Sequence, residues 1–148
     1  MPVIIVGADT DTGQVVVPAL RPASGEIRVF VSDPLVGEDY RPYAKVAVGD
    51  LSDGSHVGGA AIGAFCAIAI ARAATDDRER HFAGTPSEVF EQWADGLKDA
   101  GIGRVIVVGT PTEIPQPDPL AAIGAEYLVV DADDRNVVAL VATAEAKR

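Results

Sequence analysis

VIIVGADTDTG, residues 3–13, joins a run of apolar residues to a turn that is bounded by two glycines. The apolar run is β-branched throughout and shows no polar alternation, which is typical of a strand buried on both faces of a parallel sheet. Residues 14–20 follow as a predicted short helix. A glycine-bounded turn between a strand and a helix lets backbone N–H groups and the helix N-terminus face a phosphate. The stretch therefore predicts the first strand–helix unit of an open α/β sheet, with an anion site at the turn.

Apolar runs of the same kind recur along the chain and alternate with helical segments. Further strands are predicted at 27–31, 45–48, 65–71 and 104–108. Two last strands, at 127–130 and 137–142, are predicted to pair as a hairpin across a turn at 131–136. The alternation predicts an α/β fold, namely a single Rossmann-like domain over residues 1–148. Its doubly wound, mainly parallel sheet should have about five to seven strands.

The clearest helix signal lies at 85–100. It begins with a capping box formed by Thr85 and Glu88, and Pro86 suits the first helical position. A shorter helix is predicted at 55–62, with Ser55 or Asp53 as its N-cap.

Three segments are predicted to lack regular structure. Residues 33–44 contain Pro34, Gly37 and Pro42 and are interpreted as a loop. The charged run at 76–80 is interpreted as a solvated loop or a helix end rather than a site. Residues 110–119 hold four prolines and should be irregular.

The composition and charge of the chain limit the classes of molecule that it is expected to bind. The chain has 148 residues, 48% of them hydrophobic, with 22 acidic against 12 basic side chains and a formal net charge of −10. A protein this acidic is repelled by nucleic acid and by anionic membrane surfaces, so neither is expected as a partner. The single cysteine, Cys66, excludes an internal disulfide. The uncharged run at 57–71 is too short to span a bilayer and favours a buried core and self-association as a homo-oligomer. No basic leader precedes the first strand, which predicts a cytoplasmic protein.

Polar and small residues follow each predicted strand at the edge where ligands bind in open parallel sheets. The segments that follow the predicted strands at this edge are 7–13, 32–33, 49–51, 71–72 and 109–110. Asp33 follows Gly13 by 20 residues, at the end of the second strand. An acid at that position accepts hydrogen bonds from an adenosine ribose in dinucleotide-binding folds.

The order of these motifs resembles the short-chain dehydrogenase/reductase superfamily, and most closely its atypical, NmrA-like, NAD(P)-binding branch. The likeness covers roughly residues 1–110. It rests on VIIVGADTDTG at 3–13, IRVFVSD at 27–33, VAVGDLSD at 46–53, the strand at 65–71 and RVIVVG at 104–109.

The resemblance implies a dinucleotide site with assigned positions. The pyrophosphate would be lined by Gly7, Ala8, Thr10, Thr12 and Gly13. Asp33 would hold the adenosine ribose, which favours NAD(H) over NADP(H) because a 2′-phosphate would meet a carboxylate. Asp50 and Leu51 would flank the adenine, and Arg72 would either face a phosphate or neutralise the acidic rim.

Two departures from the family pattern leave alternatives open. The middle glycine of G-x-x-G-x-x-G is Thr10, flanked by Asp9 and Asp11, and no tyrosine is followed four residues later by lysine. No catalytic residue and no metal is therefore assigned. One alternative is a cofactor-less accessory or protein-interaction module. Another is a Mg²⁺-dependent phosphotransferase, because D-T-D-T at 9–12 resembles the nucleophile motif of haloacid-dehalogenase-type enzymes.

Overall fold

Six parallel strands form the central sheet of the structure, a computed structural model that describes residues 2–21 and 25–147. The strands are β1 (Val3–Val6), β2 (Ile27–Val31), β3 (Lys45–Val48), β4 (Cys66–Ile70), β5 (Arg104–Val108) and β6 (Glu126–Val130). Their spatial order is β3-β2-β1-β4-β5-β6, and every neighbouring pair is parallel. The chain order therefore reverses between β1 and β4, which is the topological switch point of a doubly wound sheet. This confirms the predicted Rossmann-like fold.

Helices cover both faces of the sheet. They are α1 (Asp11–Leu20), α2 (Pro34–Tyr40), α3 (Gly54–Ala61), α4 (Arg72–Thr75), α5 (Pro86–Asp99) and α6 (Val137–Ala146). One core lies between the sheet and helices α3 and α5, and a second lies on the opposite face under α1 and α6. Successive residues of β1 point alternately into the two cores, so the uninterrupted apolar run is buried on both sides as predicted. The described helices all fall short of the length and apolar character that a membrane span requires.

Helix α5 confirms the predicted capping signal. The Thr85 hydroxyl oxygen accepts a hydrogen bond from the Glu88 N–H at 3.2 Å, and the same hydroxyl donates to the Glu88 carboxylate at 3.0 Å. The helix is followed by Gly101 in the left-handed region, at φ +76°. The shorter predicted helix also forms, as α3, with Asp53 as the N-cap.

The predicted loop at 33–44 is wrong for Pro34–Tyr40, which form α2, while residues 41–44 are irregular as predicted. Pro34 stands in the first turn of the helix, where its missing N–H has no cost, and the Asp33 carboxylate accepts from the Leu35 N–H at 2.9 Å. Of the residues that suggested a loop, Pro34 therefore begins a helix and Gly37 lies buried within it. Tyr40 anchors its other end by donating to the Ala8 carbonyl at 2.6 Å.

The predicted hairpin at the C-terminal end is also wrong. Strand β6 pairs in parallel with β5, and the segment predicted as its partner is helix α6. Valines lower helix propensity only modestly, so burial of Val141 beside α1 decides the conformation. The proline-rich segment at 110–119 is irregular as predicted, apart from Pro119, which begins a single 3₁₀ turn.

Candidate functional site

A cavity of about 600 Å³ opens at the carboxyl edge of the sheet, beside the switch point between β1 and β4. The segments after β1, β4, β5 and β6 line it. Its lining residues are Asp9, Thr10, Asp11, Thr12, Ile70, Arg72, Asp76, Val108, Thr110, Thr112, Glu113, Ala132 and Asp133. A crevice at this position is where open α/β sheets bind their ligands.

Two glycines bring the start of α1 close to the end of β1. Gly7 has φ +88°, and a Cβ there would lie 2.7 Å from the Cβ of Ala73 in α4. A Cβ on Gly13 would lie 2.7 Å from the Cα of Ala8. Both positions therefore require glycine, and the N-terminus of α1 is held directly against the turn.

Thr10 caps α1 at the place where the family pattern has its middle glycine. Its hydroxyl donates to the Gly7 carbonyl at 2.8 Å and accepts from the Gly13 N–H at 3.0 Å. The N–H groups of Asp11 and Thr12, at the first two helical positions, make no hydrogen bond to the part of the chain that the structure describes. Both residues line the cavity, so the helix offers it two unpaired backbone donors.

Asp9 is buried between the ends of β1 and β2, with a side chain that is 4% exposed. Its carboxylate accepts from the Ser32 and Asp33 N–H groups at 2.8 and 3.1 Å, and it pairs with Arg78 at 2.9 Å. A phosphotransferase nucleophile must reach the phosphorus of its substrate, and a carboxylate that is 4% exposed and held by three donors is poorly placed to do so. Within residues 2–21 and 25–147, no three His, Cys, Asp or Glu side chains gather to hold a metal ion.

The charged run at 76–80 is solvated only in part: Asp76 caps the end of α4 and Asp77 and Glu79 are exposed, as predicted, but the two arginines are not. The side chains of Arg78 and Arg80 are only 13% and 14% exposed. Each pairs with the Asp76 carboxylate at 2.8 Å, and Arg80 also donates to the Ala73 carbonyl at 2.8 Å. Charged side chains can be buried when they pair with side chains of opposite charge. A run of alternating charges in the sequence does not show whether such pairs form.

The chain continues from this cluster across the ends of the next two strands. The His81 N–H donates to the Asp50 carboxylate at 2.7 Å, and the Phe82 N–H donates to the Ser52 hydroxyl at 3.0 Å. Asp50 also accepts from the N–H and the hydroxyl of Ser52. Residues 76–82, called the clasp below, therefore bridge the carboxyl ends of β1, β2 and β3.

The residues predicted for the site fall into two groups. Thr10, Thr12 and Arg72 line the cavity, while Gly7, Ala8 and Gly13 shape the turn beneath it. Arg72 is exposed and lies 3.7 Å from the Glu113 carboxylate.

The residues predicted for the adenosine half lie outside the cavity lining. Asp33 is exposed at the end of β2, and Asp50 is held by the clasp. The Leu51 side chain is fully buried in the core, and its carbonyl accepts from the Trp93 indole N–H at 2.6 Å. Sequence reasoning missed Asp76, Arg78 and Glu113, although all three lie in segments that follow strands.

Protonation of Asp76 should weaken the fold in acid. Burial alone would raise the pKa of Asp76, but hydrogen bonds and positive charge from Arg78 and Arg80 outweigh it and hold the pKa below its ordinary value of 3.8. The stabilisation is therefore complete well above that pH and is lost as the pH falls through the lower folded-state pKa. We expect Asp76→Asn to lower the free energy of unfolding by about 1–2 kcal/mol at neutral pH.

Urea unfolding in neutral and acidic buffers measures this effect. The difference between the wild-type protein and Asp76→Asn should shrink as the pH falls, while a variant of the exposed Asp95 on α5, Asp95→Asn, stays close to wild type at neutral pH. A difference that is constant from neutral to strongly acidic pH would contradict the assignment.

No protein-family model and no curated protein sequence matches the chain. Solved structures do match it. An NADPH-dependent quinone oxidoreductase from Escherichia coli, complexed with NADPH, has a TM-score of 0.65 at 17% identity over 87% of this chain and 47% of its own. The triphenylmethane reductase of Citrobacter sp. has a TM-score of 0.68 at 15% identity over 87% and 48%. A nucleoside-diphosphate-sugar epimerase from Staphylococcus aureus has a TM-score of 0.64 at 16% identity over 88% and 50%.

These likenesses show that the chain shares its fold with reductases and epimerases. The chain spans about half the length of the three proteins.

Proposed function

We propose that this protein belongs to the atypical short-chain dehydrogenase/reductase superfamily and binds a nicotinamide dinucleotide at the carboxyl edge of its sheet. The observation that carries the proposal is the pair of unpaired N–H groups, on Asp11 and Thr12, beside a cavity at the switch point. A helix N-terminus at this position is where a pyrophosphate binds in Rossmann folds. Two of the matched reductases were solved in complex with NADPH or NADP(H), which supports the same class of ligand here.

The cavity suits the nicotinamide half of the cofactor. Its volume of about 600 Å³ falls within the range of small-molecule sites. Most of its lining is polar: Thr110 and Thr112 provide hydroxyl groups, Ala132 provides some apolar surface, and Ile70 and Val108 are buried at its base. Hydroxyl groups of this kind can hydrogen-bond and orient a nicotinamide ribose.

The charges around the turn are mostly compensated. Asp76 is paired with Arg78 and Arg80, Glu113 faces Arg72, and Asp9 accepts from two backbone N–H groups besides Arg78. The repulsion that the lining carboxylates would impose on a pyrophosphate therefore comes mainly from the exposed Asp11 and Asp133. The helix N-terminus, which contributes roughly 0.3–2 kcal/mol for an anion, offsets part of the repulsion from these screened carboxylates.

Asp33 favours NAD(H) over NADP(H). One oxygen of its carboxylate accepts from the Leu35 N–H, and the other can accept from a ribose hydroxyl. A 2′-phosphate placed there would meet the exposed Asp33 carboxylate. The proposal is therefore an NAD(H) site, and it assigns no reaction.

Replacement of Asp33 by serine should abolish the preference of the protein for NADH over NADPH. Serine keeps the N-cap of α2 but removes the carboxylate, so the fold is preserved while the ribose contact is lost. We expect NADH to bind the wild-type protein with micromolar affinity and NADPH to bind at least about tenfold more weakly. Asp33→Ser should weaken NADH binding about tenfold and remove the preference. Nicotinamide fluorescence at low ionic strength, checked by calorimetry, measures both.

The matched control is Asp39→Ser, which removes an exposed carboxylate from α2 away from the cavity. It should leave both affinities unchanged. The absence of saturable binding of either cofactor up to millimolar concentration would overturn the proposal and favour a protein-interaction module that works without a cofactor.

A further inference from the structure

The clasp occupies the crevice that the adenosine half of the proposed cofactor would need. In dinucleotide-binding sheets the adenosine ribose lies between the first helix N-terminus and the acid after β2. Here the Arg78 guanidinium lies in that crevice, 2.9 Å from the Asp9 carboxylate and 3.2 Å from the Ser32 hydroxyl. Next to Arg78 in this crevice, the His81 peptide N–H donates a hydrogen bond to the Asp50 carboxylate at the end of β3. The cavity beside the switch point stays open at the same time.

We propose that the clasp, residues 76–82, is a gate that must open before the adenosine half can bind, and that it leaves the nicotinamide half of the site accessible when closed. The proposal rests on the proposed function. It predicts that a ligand without adenosine binds the closed form directly, whereas a full dinucleotide binds only the open form.

Polar contacts alone hold the clasp closed. Arg78 bridges the carboxylates of Asp9 and Asp76, and Arg80 ties Asp76 to α4 through the Ala73 carbonyl. None of the residues 76–82 is fully buried, and the large apolar side chain among them, Phe82, is 56% exposed. A segment with few buried apolar contacts can open without unfolding the core. The donors and acceptors it releases, on Ser32, Asp50 and Ser52, then become available to a ribose and an adenine.

The closed clasp should lower the apparent affinity for a dinucleotide. When only a fraction of the protein is competent to bind, the apparent dissociation constant equals the intrinsic constant divided by that fraction. A clasp that is open in roughly one molecule in ten or fewer weakens dinucleotide binding tenfold or more. It does not change the affinity for a ligand that binds beside the closed clasp.

Arg78→Gln tests the gate. The variant removes the guanidinium, while Asp9 keeps its two hydrogen bonds from the Ser32 and Asp33 N–H groups, so the β1–β2 connection persists. We expect it to tighten NADH binding about tenfold or more and to leave the affinity for reduced nicotinamide mononucleotide within about twofold. Arg41→Gln makes the same charge change in an exposed pair with Glu38 and should alter neither affinity. Weaker or unchanged NADH binding by Arg78→Gln would overturn the gate.

Hydrogen exchange of the wild-type protein gives a second readout that needs no variant. The amides of His81 and Phe82 are bonded across the closed clasp, so NADH should speed their exchange while the mononucleotide leaves it unchanged. If both ligands bind and this exchange is unaffected by NADH, the gate alone is refuted. If neither ligand binds either the wild-type protein or Arg78→Gln, the gate and the cofactor site fail together.

Discussion

Replacement of Gly96 by alanine is expected to destabilise the protein by about 3 kcal/mol or more, and replacement by valine to prevent folding. Gly96 lies on α5 where that helix crosses α3. A Cβ at this position would lie 2.1 Å from the Gly54 carbonyl oxygen and 3.1 Å from the Gly58 nitrogen. These are backbone atoms of α3, which cannot turn aside as the end of a flexible side chain can. The two helices would have to separate over the core that they share with the sheet.

Gly59 provides the matched control within the same pair of helices. It lies on the exposed side of α3, and a Cβ there would have nothing within 4 Å. Gly59→Ala should stabilise the protein by about 0.5–1 kcal/mol, because alanine has the higher helix propensity. Urea unfolding of both variants measures the contrast. Equal stability of Gly96→Ala and the wild-type protein would mean that α3 and α5 are not in backbone contact.

Arg104→Ala should release helix α6 and lower the free energy of unfolding by about 2–3 kcal/mol. Arg104 stands at the start of β5 with a side chain that is 4% exposed. Its guanidinium donates to the carbonyl oxygens of Ala144 and Glu145 at 3.2 and 3.1 Å, and to the Glu126 carboxylate at 3.2 Å. The charge therefore satisfies the last carbonyls of α6 and complements its dipole. Without it, those carbonyls lose a charged donor in a partly buried position.

Arg104→Ala should increase local opening of α6 in addition to lowering the stability of the whole fold. Limited proteolysis or hydrogen exchange of Arg104→Ala should show increased opening over Val137–Ala146, while β1 stays protected. Arg41→Ala removes an exposed arginine at the C-cap of α2 and should change neither measurement. Protection of α6 that is unchanged in Arg104→Ala would show that packing of Val141 alone holds the helix.

The first β–α unit shows which structural features can be predicted from neighbouring residues alone. The apolar run of β1 predicts a doubly buried strand because no side chain in it could face water without cost. Gly7 and Gly13 predict a close turn because glycine has no Cβ, and in the structure neither position has room for one. These signals predict a ligand site at the N-terminus of α1, and a cavity opens there, but ligand binding in it stays a prediction. The preference for NAD(H) that was drawn from Asp33 stays a prediction.

Local signals failed where the same residues suit two structures. Asp33 and Pro34 occur in turns and also in the first turn of a helix, and the chain path over β3 selects the helix α2. The valines of α6 suit a strand or a helix, and their position over the sheet selects the helix. A pattern of a few residues cannot distinguish these outcomes, because the deciding contacts come from distant parts of the chain.

The sequence by itself determined where the six strands lie, that the sheet is mainly parallel, and at which edge the strands end, because apolar periodicity and turn chemistry act between neighbouring residues. It did not determine that β6 pairs in parallel with β5 or that α6 is a helix. Tertiary structure alone decided that Arg78 is buried against Asp9, a residue 69 positions away. It also decided that the Arg104 guanidinium caps the C-terminal end of α6. A buried charge is stable only beside a partner that satisfies it, and the partner is set by the path of the chain through space.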